Sequence, residues 1–112
     1  MSTLHTLDRS WGNKKAFITV RKGDKYLHTV GEEYDLCECH TEEGSHFITG
    51  SAVVYNTLLV NELRDLSAVV LDMHYNEACK SYSGLIEALK KAYGDEVSDS
   101  MKVTVVFLRR LQ

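Results

Sequence analysis

Apolar and polar positions alternate with a period of two over much of the chain. "AFITVR", residues 16–21, is β-branched and alternating, which predicts a strand. "YDLCECH" (34–40) and "HFITGSAVVYN" (46–56) predict two more. The polar "TEEGS" between them carries Gly44, as a hairpin connection requires. "MKVTVVFLRR" (101–110) predicts a closing strand. Helical spacing is less common. Leu4, Leu7 and Trp11 fall at i, i+3 and i+7, which predicts an N-terminal helix stopped by Gly12-Asn13. "LSAVVLDMHYNEA" (66–78) predicts a short helix with Ser67 as N-cap. The strongest helical pattern is "SGLIEALKKAYG" (83–94). Ser83 suits its cap, Leu85, Ile86, Leu89 and Ala92 form its apolar stripe, and Gly94 stands where the chain must leave the helix. Hairpins first and helices late predict an α+β, mostly antiparallel, barrel-like domain with two or three flanking helices, rather than a doubly wound sheet.

Composition narrows the reading. The length of 112 residues fits a single domain over 1–112, and 44% hydrophobic residues can close one core. There is no proline, so Gly, Asn and Asp must make the turns. No apolar run reaches the roughly 18 residues of a membrane span, and "MSTLHTLDRS" has no signal-peptide core. Three cysteines are an odd number and too few for a disulfide scaffold, so a reducing, cytoplasmic setting is expected.

The net charge of −3 argues against a bulk polyanion binder. The charge is uneven, however. Residues 1–30 hold Arg9, Lys14, Lys15, Arg21, Lys22 and Lys25 against Asp8 and Asp24, whereas residues 31–100 are predominantly acidic. This places one basic face on an acidic body.

"LCECHTEEGSHF" gathers Cys37, Cys39, His40 and His46. Side chains alternate across a strand, so Cys37 and Cys39 share one face and His40 takes the other. With "TEEGS" as the loop, His40 pairs with His46. Four ligands split two and two cannot converge on a tetrahedral ion. The spacing matches none of the usual zinc patterns, and buried cysteines explain the Cys37/Cys39 face. No metal and no cofactor are expected. Cys79, in "NEACKSY", lacks a base at helical pairing distance and reads as structural.

"NKKAFITVRKGDKYLHTVGEEYDLCE", then "LRDLS", "LIEALKKAYG" and "MKVTVVFLRRL", resemble in their order the ASCH domain family, whose fold is PUA-like. Arg21, Val30-Gly31-Glu32, Leu85, Leu89, Tyr93 and Phe107 occupy the family's motif places. The resemblance implies a small barrel with a basic cleft between the first motif and the late helix, and an association with RNA. A few small members resemble amidohydrolases acting on acetylated cytidine, with a Lys, a Thr and a Glu in one pocket. Here Thr19 matches the Thr, the Lys place holds Ala16 with Lys15 one residue earlier, and the Glu place holds Gly84 with Glu87 nearly a turn later.

The function expected is therefore RNA or nucleotide binding. Lys14, Lys15, Arg21, Lys22 and Lys25 would meet phosphates, and Tyr26 would stack on a base, joined by Trp11 unless that residue is core, the commoner place for a Trp. The alternative is a small hydrolase on RNA or a modified nucleoside that uses Lys15, Thr19 and Glu87. A third reading is a protein-interaction module with an acidic surface.

Overall fold

The computed structural model describes residues 2–7, 10–40 and 44–111, with the backbone alone at residues 7, 40 and 45. The domain is α+β. Five strands form one mixed sheet: β1 (Ser2–Leu7), β2 (Ala16–Lys22), β3 (Glu33–His40), β4 (Ser45–Val60) and β5 (Val103–Leu111). Their order is β1-β3-β4-β5-β2. Helices α1 (Ala68–Leu71) and α2 (Tyr82–Tyr93) lie between β4 and β5. Among the described residues, no helix is long and apolar enough to cross a membrane.

The alternating runs became strands as their pattern predicts. The N-terminal segment did not become a helix. Ser2–Leu7 runs as a strand parallel to β3, with Leu4 beside Leu36. Leu4 and Thr6 are buried, with His5 between them exposed. A period of two governs, and the Leu4–Leu7–Trp11 spacing coincides with a helical one. β4 is sixteen residues long and serves both neighbours, β3 through its first half and β5 through its second. It carries two bulges, with Thr49 unpaired against β3 and Tyr55 unpaired against β5. Bulges bend a strand and increase its twist.

The sheet curls accordingly. Leu4 of β1 and Phe17 of β2, from opposite edges, share one core with Trp11, Leu36, Val54, Val106 and Leu108. The two edges are not paired, so the sheet is not a closed barrel. The gap is bridged instead. The Met73 carbonyl accepts from the Ile18 N–H at 3.0 Å, and the Ile18 carbonyl accepts from the Tyr75 N–H at 3.4 Å. The Tyr75 hydroxyl then meets Thr6 Oγ1 of β1 at 2.8 Å. Covering an edge strand in this way satisfies backbone groups that would otherwise be open for association.

A second core lies on the other side of β2 and β5. There Ile18, Val20, Val103 and Val105 pack against Leu71, Cys79, Leu85 and Leu89 of the helical segment. Ser67 caps α1 by accepting from the Val69 N–H. α2 starts two residues earlier than the sequence predicts, capped by Ser81, which accepts from the Gly84 N–H at 3.1 Å. Gly94 ends it with φ at 70°, a left-handed value glycine adopts without a Cβ penalty.

Gly84 has a specific structural role. A Cβ built there would lie 1.7 Å from the Ala78 carbonyl oxygen, in the 3-10 turn Glu77–Lys80 that packs on α2. Backbone against backbone cannot yield as a flexible side chain can. Gly84→Ala should therefore destabilise the fold by about 2–3 kcal/mol or more, the scale of overpacking. Urea midpoints check this, with Ser83→Ala as the control expected near neutral.

Candidate functional site

The cleft lies where the sheet edges fail to meet. It has a volume of about 280 Å3 and runs between β1, β2, the 74–79 segment and α2. Its floor is apolar, from Val20, Leu85 and Leu89. Its polar groups come from His5, Thr6, Thr19, Arg21, His74 and Lys91, and Tyr75 and Tyr93 supply aromatic walls. An apolar recess with a few fixed polar groups is the usual form of a small-ligand site, and this volume stands just below the lower end of the usual range.

Arg21 dominates it electrostatically. β2 is regular from Ala16 to Lys22, and its last residues run past the covered Ile18 edge to the open part of the gap. There Arg21 Nη2 donates to the His5 carbonyl at 3.0 Å, crossing from one edge of the sheet to the other. The guanidinium also lies 5.9 Å from the Trp11 ring and 6.0 Å from the Tyr26 ring. Among the described residues no carboxylate pairs with it. Its Nε is buried without a hydrogen-bond partner. A guanidinium fixed by aromatic rings and one carbonyl, with donors left over, is a receptor for an anion.

The other basic residues are arranged differently. Lys14 pairs with Glu77 at 3.9 Å, and Lys22 hydrogen-bonds Glu96. The Lys22 bond holds the Glu96 carboxyl below its ordinary range. Lys25 lies 5.6 Å from the Tyr26 ring. Lys15 lines a separate depression with Asn13, Ala16, Arg109 and Arg110. The expected basic face thus reduces, at the cleft itself, to Arg21 with Lys91 at the rim. Lys91, His74 and Tyr75 were not singled out by sequence reasoning. They come from segments distant in sequence, and no local motif marks them.

Of the three residues placed in catalytic roles by resemblance, Thr19 lines the cleft and is buried. Lys15 does not line it. Glu87 is exposed on α2 and is not among the cleft residues, which on that helix are Leu85, Ala88, Leu89, Lys91, Ala92 and Tyr93. The structure therefore does not bring the three together. Gly84, at the family's Glu place, is held bare of a side chain by the Ala78 carbonyl.

The hairpin register also differs from expectation. β3 pairs with β4 through Cys39↔His46 and His40↔Ser45, not His40↔His46. The bulge at Thr49 shifts the ladder by one residue, and a one-residue slip exchanges the faces. His46 therefore joins Cys37 and Cys39. β1 adds His5, paired with Cys37. Four ligand-type side chains meet on the outer face, which corrects the expectation of a two-and-two split. Cys37 and Cys39 are buried, and their sulfurs lie 4.0 Å apart. Burial pushes the Cys39 thiol up, and the Cys37 thiol adds to the shift.

Comparison of the chain with protein-family models, curated proteins and solved structures returned no match. What fold and site define is an α+β protein with a curled, unclosed five-stranded sheet and a cationic cleft at the unclosed seam.

Trp11, the second stacking candidate, takes the core place that its residue type favours. It is 1% exposed and packs on Tyr75 with ring centroids 4.4 Å apart. Its Nε1 donates to the Cys37 carbonyl at 2.9 Å. Its emission should be blue-shifted and resist acrylamide, and RNA should leave that accessibility unchanged. Strong quenching by acrylamide in the native protein would contradict the core placement.

Proposed function

We propose that this chain is a PUA-like module of the ASCH type that binds RNA or a nucleotide in the Arg21 cleft. The observation that carries the reading is Arg21 itself: a partly buried guanidinium, clamped by His5, Trp11 and Tyr26, with no carboxylate partner among the described residues and one buried donor unused. A phosphate oxygen satisfies such a donor. The apolar floor and the Tyr93 wall suit a base or ribose beside it. The cleft volume suits one nucleotide, so a longer RNA would place a single residue there and run across Lys91 and the Lys25–Tyr26 pair. The three free cysteines suit a reducing, cytoplasmic setting.

Arg21→Gln should weaken binding of a short single-stranded RNA at least about tenfold at low salt, since a charged hydrogen bond to phosphate is worth on the order of 1.5–3 kcal/mol. Lys22→Gln should change it far less, because Lys22 is already engaged by Glu96. Fluorescence anisotropy reads both. Equal affinities for wild type and Arg21→Gln, or no binding at low salt, would leave the acidic-surface interaction module as the better reading.

The hydrolase reading has only Thr19 at the cleft. A displacement of about an ångström can cost on the order of a hundredfold in rate, and both Lys15 and Glu87 lie outside the lining. Acetylated cytidine should therefore be turned over negligibly. A robust rate abolished by Thr19→Ala would replace binding with catalysis as the function.

A further inference from the structure

The outer face of the β1–β3–β4 ladder holds His5, Cys37, Cys39 and His46, one ligand atom from each lying within 4.8 Å of all the others. The registers require this convergence. His5 pairs with Cys37 in the parallel β1–β3 ladder, and His46 pairs with Cys39 in the antiparallel β3–β4 ladder. Paired residues project on the same side, and residues two apart on a strand do also. Three strands therefore deliver four soft or borderline donors to one point.

We propose that these four side chains form a tetrahedral Cys2His2 zinc site that staples β1 and the β4 hairpin arm to β3. The distances fit. A tetrahedral zinc with ordinary bond lengths needs nitrogen-to-sulfur edges of about 3.5 Å and a sulfur-to-sulfur edge of about 3.8 Å. His5 Nδ1 and His46 Nδ1 lie 3.1 and 3.2 Å from the Cys39 sulfur, and the two sulfurs are 4.0 Å apart. The remaining edges lie within 4.8 Å, so side-chain shifts of up to about an ångström complete the polyhedron. The two imidazoles stand edge to face, at 88° with centroids 6.2 Å apart, so neither blocks the other.

The chemistry of the donors selects the ion. Two thiolates and two imidazoles in a tetrahedral set favour zinc over magnesium or calcium, which take oxygen ligands. Four protein ligands leave no open position, so the site is structural rather than catalytic. The cysteines are buried and the histidines exposed, so the ion would enter from solvent on the histidine side. An outer contact already fixes the frame, since Trp11 Nε1 donates to the Cys37 carbonyl. The site stands independently of what the cleft binds.

Cobalt substitution tests it. Tag-free protein, stripped by a chelator under reducing conditions and titrated with Co2+, should bind one ion per chain. It should show intense tetrahedral visible bands and a thiolate-to-cobalt charge-transfer band, and stoichiometric Zn2+ should displace both. Cys39→Ser should abolish the charge-transfer signal attributable to that sulfur. The exposed ligands guard against a variant that fails to fold. His46→Ala and His5→Ala should keep the wild-type circular dichroism and weaken Co2+ binding by more than about a hundredfold, beyond the loss expected for an outer-shell change. His28→Ala, an exposed histidine away from the cluster, should leave binding unchanged. Octahedral, pale cobalt spectra, a stoichiometry near zero, or undiminished affinity in both His variants would overturn the proposal.

Discussion

One unpaired residue governs the outer half of the molecule. In the β3–β4 ladder Leu36 faces Gly50, and the next step pairs Cys37 with Ile48, leaving Thr49 over. Had the ladder continued without that extra residue, His40 would face His46, and Ile48 and His46 would point toward the inner core beside Ala52 and Val54. The bulge turns both residues out. Ile48 becomes exposed, and His46 arrives opposite Cys39. A period-two chain has no partial shift, so one residue reverses every position beyond it. The second bulge, at Tyr55, bends the same strand where it pairs with β5. Together they curl the sheet until Leu4 and Phe17, from its two edges, reach one core.

The seam follows from that curl. β1 and β2 approach but do not pair, so their edge groups need other partners. Residues 73–75 meet this need at Ile18, and Tyr75 reaches Thr6 on the far side. Further along, β2 carries a charged residue where the gap is still open. Arg21 closes the remaining distance with one bond to the His5 carbonyl. Placing a guanidinium there costs solvation, only partly offset by one carbonyl and two ring faces. The neighbouring lysines face no such shortage, because Lys14, Lys22 and Lys80 each have a glutamate within ion-pair distance. Sequence charge counts weigh all these cations alike, whereas the fold leaves Arg21 as the one in the cleft without an acidic partner among the described residues.

Much of this was legible in the sequence, and the failures have specific causes. β2, β3, β5 and α2 followed from alternation and the Leu85/Leu89 stripe, because those patterns are long enough to be unambiguous. β1 was not. It is six residues long, one of its two described buried positions is filled by a threonine satisfied across the seam, and its apolar spacing also fits a helix. The cap of α2 was misplaced by two residues because Ser81 and Ser83 are chemically equivalent candidates, and only the packing of the 77–80 turn on Gly84 decides between them. Arg21 was singled out by the basic run around β2 and Thr19 by the family resemblance, and both line the cleft. The Cys/His cluster was misread for one reason, the unrecognised bulge. Its signal was Gly50, a glycine inside an otherwise continuous strand pattern, which commonly marks a bulge.

His5 joins the two halves of the argument. Its side chain belongs to the Cys37–Cys39–His46 cluster, and its carbonyl holds Arg21. β1 is a short edge strand with a single ladder partner, so by itself it is the part of the sheet most prone to fray. Whatever fixes the His5 ring to β3 also fixes the carbonyl one residue's geometry away. The guanidinium is then held in a narrower range of positions before any anion arrives. Preorganisation of this kind lowers the ordering cost of binding without adding a contact to the ligand. The outer cluster and the cleft are on opposite sides of β1, yet a six-residue strand is too short to position one independently of the other.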